Sequence, residues 1–208
     1  MSKLETELKR LVSYFSSGKV DRAVKTAKKL IKRYPTQPLP HNILGAIASN
    51  KQDFKSAVTH YKRALHLEQG YPDAWNNLGA AYSSLGEHKN AQQAYLASLK
   101  VGGKNAEVLF NLGNSLKFDK NYNEAVVAYE AAIALQPAYA EAEPELGHCY
   151  IKLTNTEAAL FHYRRAIELD PADLRAPSAA GDVLMRSGLF HDAIVSYDQA
   201  LERDPDFF

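Results

Sequence analysis

Histidine, cysteine and asparagine give this 208-residue chain its widest chemical range, and their spacing limits what they can do. Seven histidines raise the question of a metal site or a general base, but a helical metal site places a second ligand three or four residues on. His148 has no His, Asp or Glu at residue 151 or 152, and His60 and His162 lie far apart. There is no glycine-rich phosphate loop after a strand, and no Ser/His/Asp set that spacing brings together. The expectation is therefore a protein that is not an enzyme and has no cofactor or metal. A lone cysteine, Cys149, excludes an internal disulfide framework and a multi-thiolate site, and reads as a small buried apolar residue. The asparagines offer more. Each amide carries donors and an acceptor together, so it can bond the backbone of an extended peptide whatever the peptide's side chains.

Positioning these groups requires regular elements, and the chain supplies them by repetition. "LGAAYSSLGEHKNAQQAY" (78–95), "LGNSLKFDKNYNEAVVAY" (112–129), "LGHCYIKLTNTEAALFHY" (146–163) and "AGDVLMRSGLFHDAIVSY" (180–197) align without a gap at a period of 34 residues. The same register gives "LGAIASNKQDFKSAVTHY" (44–61) and a weaker copy before it. Six repeats thus tile 4–37, 38–71, 72–105, 106–139, 140–173 and 174–207. Within each, apolar residues recur at three- and four-residue steps, which predicts two amphipathic helices at about repeat positions 2–14 and 17–30. Gly at position 8 and Ala at position 20 lack bulk and let the helix axes approach. Trp75 at position 4 and the tyrosines at position 24 (Tyr61, Tyr95, Tyr129, Tyr163, Tyr197) fill the space between helices, with hydroxyl or indole N–H reaching a polar edge. Pro144 and Pro177 fall in first turns, which predicts that the fifth and sixth first helices begin late. "VGGK" (101–104) replaces the closing proline of the third repeat and is expected to be the most flexible junction.

The pattern of an aromatic at 4, Leu-Gly at 7 and 8, Ala at 20, an aromatic at 24 and Pro at 32 resembles the tetratricopeptide repeat family over essentially the whole chain. Leu44, Leu78, Leu112 and Leu146 fit position 7, and Gly45, Gly79, Gly113, Gly147 and Gly181 fit position 8. All six repeats have Ala at position 20, and Pro35, Pro137, Pro171 and Pro205 stand at position 32. The resemblance implies an all-α, right-handed superhelical solenoid, one domain over residues 1–208, whose first helices line a concave groove that binds a peptide or protein partner. Positions 2, 5, 6, 9, 12 and 13 should face that groove. The candidate groove residues are Asn42, Asn76, Asn77, Phe110, Asn111, Asn114, Lys117, His148 and Lys152. In the family, the repeats of O-linked N-acetylglucosamine transferase hold peptide backbone with asparagines at position 6. Asn77 and Asn111 match that ladder, and Ile43, Glu145 and Ala179 do not. A clamp for a C-terminal carboxylate fits only at Asn114. The acids Asp73, Glu107 and Glu141 in first turns either complement helix dipoles or favour a basic peptide.

Ends and charge complete the expectation. Residues 1–36 carry a net +7 and the remainder −6, which we read as a solvated face rather than a nucleic-acid surface. No stretch resembles a signal peptide or a membrane span, so a cytoplasmic location is expected. The first repeat is polar and suits a cap. No polar helix follows "RDPDFF". The chain therefore either continues, as the substrate-recruiting N-terminal region of a larger enzyme such as a glycosyltransferase or sulfotransferase, or self-associates through Ala193, Tyr197, Ala200, Leu201, Phe207 and Phe208.

Overall fold

A computed structural model describes residues 2–202. Twelve helices are formed in that span: α1 Lys3–Ser16, α2 Val20–Arg33, α3 Leu39–Asn50, α4 Phe54–Leu67, α5 Pro72–Ser84, α6 His88–Gly102, α7 Ala106–Phe118, α8 Tyr122–Leu135, α9 Ala142–Lys152, α10 Thr156–Leu169, α11 Arg175–Arg186 and α12 Phe190–Leu201. They are the two helices of each of the six repeats. Local chemistry starts several of them. Ser2 and Glu5 form a reciprocal capping box on α1, and the side chains of Asp53, Asn105 and Asn155 accept from the third backbone N–H of α4, α7 and α10. Pro144 and Pro177 each stand third in their helix: α9 opens late, at repeat position 3 against position 1 for α5 and α7, whereas α11 opens at position 2, as α3 does.

Each pair turns over through one left-handed residue at repeat position 15. Gly18, Gly86 and Gly188 serve there, and so do Gln52, Lys120 and Thr154, with φ near +60°. Position 15 therefore demands a backbone shape, and half of the repeats meet it with a residue that resists it.

The core lies inside and between the pairs. All six position-20 alanines are fully buried. The small residue at position 8 faces a ring: a Cβ on Gly45, Gly79, Gly113, Gly147 or Gly181 would sit 2.5–2.6 Å from the Cε1 of the position-24 tyrosine of its own repeat. Those tyrosines find polar edges, as Ser49 for Tyr61 at 3.3 Å, Asn114 for Tyr129 at 2.8 Å and Asp182 for Tyr197 at 2.8 Å. Trp75 donates its indole N–H to the Gln69 carbonyl at 2.9 Å.

The chain divides into two compact units, Met1–Gly103 and Lys104–Phe208, with the division at the "VGGK" junction, where Gly103 has φ +79°. In the first unit every helix packs on the next, and α3 also touches α1 and α5; in the second, α9 touches α7 and α11 in the same way. Second helices do not touch one another among the described residues. Within each unit the first helices therefore crowd on one side and the second helices splay on the other, which curves the unit around its first-helix face.

Candidate functional site: the first-helix faces

In the first unit the expected groove asparagines are partly consumed by packing. Asn42 on α3 is only 9% exposed. Its amide donates to the Tyr71 hydroxyl at 3.1 Å, while its oxygen accepts from the Asn77 amide at 3.3 Å. The expectation that Asn42 faces a ligand is therefore corrected: it closes the seam between α3 and α5, because a buried amide must be paired within the protein. Burial raises the Tyr71 phenol, with the Asn42 bond opposing that rise. Asn77 is half-buried and spends one donor on Asn42. Asn76 is half-buried, and its Oδ1 lies buried without a partner among the described residues.

The second unit gathers the remaining candidates. Phe110 on α7 packs against Tyr139 and Tyr129, with ring centroids 5.0 and 5.8 Å apart, so it belongs largely to the core. Asn114 uses its oxygen on the Tyr129 hydroxyl. One turn earlier, Asn111 is half-buried and its side chain makes no hydrogen bond among the described residues. Lys117 forms an ion pair with Glu145 of α9. His148 and Lys152, exposed on α9, complete the cluster, and partial burial with the Lys117 and Lys152 charges holds the His148 imidazole below its usual value. Exposed apolar side chains flank it, Phe118 at 66% and Met185 at 43%. On one face the second unit thus presents an amide uncommitted among the described residues, the Lys117–Glu145 pair, the His148 imidazole, the Lys152 cation and an apolar rim.

Other chemistry sits behind the first helices. The Glu143 carboxylate of α9 is only 3% exposed. It lies 2.7 Å from His162 Nδ1 and 3.8 Å from Arg165 on α10, and the His162 ring stacks on Tyr150 at 5.4 Å. Tyr150 donates to Glu130 at 2.8 Å, and its phenol is pushed up to about 12, first by desolvation and then by that bond. A second histidine contact also crosses between helices: His41 and His60 lie 6.1 Å apart between ring centroids. The signal was in the repeat columns, since His41 with His60 and Glu143 with His162 both join position 4 to position 23. Cys149 is fully buried and desolvation pushes its thiol up to about 11, a buried apolar residue as expected.

At the C-terminal end, Ala193 and Ala200 are fully buried and contribute nothing to an exposed patch. The apolar residues exposed there are Leu189, Phe190, Ile194 and Val195. Phe207 and Phe208 lie outside the described residues. No helix among the described residues is long and apolar enough to cross a membrane.

Antiparallel helix pairs stacked on a 34-residue period, with glycine against tyrosine in successive repeats, define an α-helical repeat protein. Profiles of the tetratricopeptide repeat match residues 12–36, 72–101, 106–139, 145–173 and 178–207, and a TPR repeat profile matches 49–86. The chain belongs to the tetratricopeptide repeat family. Among solved structures it is similar to MamA at 25% identity, over 81% of this chain and 92% of that one, with a TM-score of 0.77. It shares its fold with YrrB, described as a TPR protein with an unusual peptide-binding site, at 22% identity over 89% and 95% and a TM-score of 0.78. It also shares it with Pseudomonas aeruginosa pilF, at 18% identity over 98% and 92% and a TM-score of 0.80. No curated protein sequence matches.

Proposed function

We propose that this chain is a noncatalytic interaction scaffold whose second unit holds an extended peptide on the face formed by α7, α9 and α11. The observation that carries the reading is Asn111. It stands on that face with its amide uncommitted, while Asn114 and Asn77 already serve internal bonds. An amide so placed pairs with a peptide's backbone N–H and C=O together. Lys152, and Lys117 beyond its pair with Glu145, favour an acidic side chain on the same peptide, the His148 imidazole, held below its usual value, offers a neutral hydrogen-bonding edge, and Phe118 and Met185 favour an apolar side chain. YrrB, a protein of the same fold, is described as carrying a peptide-binding site, so the fold is compatible with this use.

Calorimetry with a peptide selected on the wild-type chain tests the reading. Asn111→Ala should cost about 1–3 kcal/mol of binding, because it leaves the peptide's amide unpaired. Asn77→Ala should leave that affinity unchanged, since Asn77 lies in the first unit and its amide already serves Asn42. Lys29→Ala, on the opposite side of the first unit, should change nothing. Equal affinities for wild type and Asn111→Ala, with helicity intact, would remove this site.

A further inference from the structure

The second helices of the two units have opposite characters. In the first unit, α2, α4 and α6 carry eleven Lys and Arg, all exposed, against the single acid Asp21. In the second, α8, α10 and α12 carry six exposed Asp and Glu against Arg164 and Arg165. The asymmetry runs through the whole chain. Residues 1–103 hold sixteen Lys and Arg and seven Asp and Glu, a net +9, and residues 104–208 hold nine and seventeen, a net −8.

Apolar shape follows the same division. Repeat position 22 on the second helices is Lys25, Thr59 and Gln93 in the first unit. In the second it is Val127, Phe161 and Val195, exposed by 66%, 59% and 46%. The basic face has somewhere to put such side chains. A cleft of ≈ 410 Å³ opens between α4 and α6, with Leu65, Trp75, Leu78 and Ala94 in its walls and Lys62 and His66 at its edge. Lys62 lies over the Tyr82 ring, 5.4 Å from its centroid, at the same cleft. A basic face with an apolar cleft and an acidic face with an apolar row complement each other in charge and in hydrophobicity.

We infer that copies of this chain associate heterologously, the second-helix face of residues 1–103 in one copy receiving the second-helix face of residues 104–208 in another. The occupant is a second copy because each copy carries the matching surface, acidic where the receiving face is basic and apolar where it is cleft. Opposite net charges steer the encounter, and the Phe161 row supplies the desolvated centre. An associated pair keeps one face of each kind free, so the contact propagates into a ring or an open chain according to its rotation. The inference goes beyond peptide binding and uses none of the residues proposed for it.

The test uses the full chain and light scattering after size separation. At about 0.1 M salt, where the Debye length is about 10 Å, the mass should rise above the monomer with concentration, and at about 1 M salt, where it is about 3 Å, it should fall back. The monomer is 23.1 kDa. Two variants then separate the faces: Lys55→Glu/Lys62→Glu/Arg63→Glu on the basic side, and Val127→Ser/Phe161→Ser on the acidic side. All five positions are exposed, so both variants should keep wild-type helicity. Each alone should be monomeric. Mixed in equal amounts they retain one intact face of each kind, and should form a 1:1 heterodimer that grows no further. A wild-type chain that stays monomeric at low salt, an association indifferent to salt, or a mixture that stays monomeric would each overturn the inference.

Discussion

Adding a single methyl group at Gly113 tests how the repeat is packed. A Cβ there would lie 2.6, 2.7 and 2.9 Å from Cε1, Cδ1 and Cζ of Tyr129, well inside van der Waals contact. The ring has little room to retreat. Tyr129 is fully buried, its hydroxyl is held by Asn114 at 2.8 Å, and Phe110 packs against it. Overpacking of this kind costs about 1–3 kcal/mol, while alanine gains about 1 kcal/mol over glycine in helix propensity. Gly113→Ala should therefore be destabilising by up to about 2 kcal/mol, although in an open helix the same change stabilises. A double-mutant cycle isolates the clash. With Tyr129→Leu in place the ring is gone and Gly113→Ala should turn favourable, giving a coupling of about 1–3 kcal/mol. Urea melts followed by circular dichroism give all four stabilities, and an unchanged denaturant slope keeps the comparison valid. If Gly113→Ala stabilises the wild-type chain as much as the Tyr129→Leu chain, the close approach of glycine to ring is not what sets position 8.

Thr154 holds a left-handed φ of +59° that a β-branched residue resists, so Thr154→Gly should raise the unfolding midpoint by an amount equal to about 0.5–1 kcal/mol, and Gly86→Thr at the same repeat position should lower it. Removing the imidazole beside the buried Glu143 carboxylate, in His162→Leu, should cost about 1–3 kcal/mol in urea melts, and adding Glu143→Gln to that variant should recover part of the loss. Burial depresses the folded-state values of His41 and His60 below the ordinary 6.5, with the facing Lys28 and Arg63 cations adding to the effect and Asp53 opposing it at His60. The unfolded chain then binds more protons below pH 6.5, so stability should be level above that value and fall as pH drops through it; His41→Gln should flatten the fall, and thermal melts from about pH 7.5 to 5 would show it.

The fold was legible because the same few side chains recur in register. Gly at 8, Ala at 20 and Tyr at 24 announce a close contact between two helices, and the helix limits follow from that spacing to within a residue or two. The site was less legible, because a helix position specifies a face and not a partner. Asn42 and Asn77 stand at neighbouring positions of successive repeats, and only packing shows that they bond each other and Tyr71. Phe110 reads as a groove aromatic until Tyr139 is seen against it. The pairing of His162 with Glu143 escaped a search along each helix because the partner comes from the next helix, and comparing columns 4 and 23 of the repeats would have found it. The charge separation was visible in part, as a basic N-terminus. The opposite charge of the two sets of second helices appears only once the helices are sorted by face.

Selection of a randomised peptide library on the immobilised full chain is the most direct test of the scaffold reading. The account predicts enrichment of peptides that join acidic and apolar residues, and a loss of that enrichment when the selection is repeated on Asn111→Ala/Lys117→Ala/Lys152→Ala with helicity preserved. Enrichment of the same peptides on that variant, or none on the wild-type chain, would contradict it.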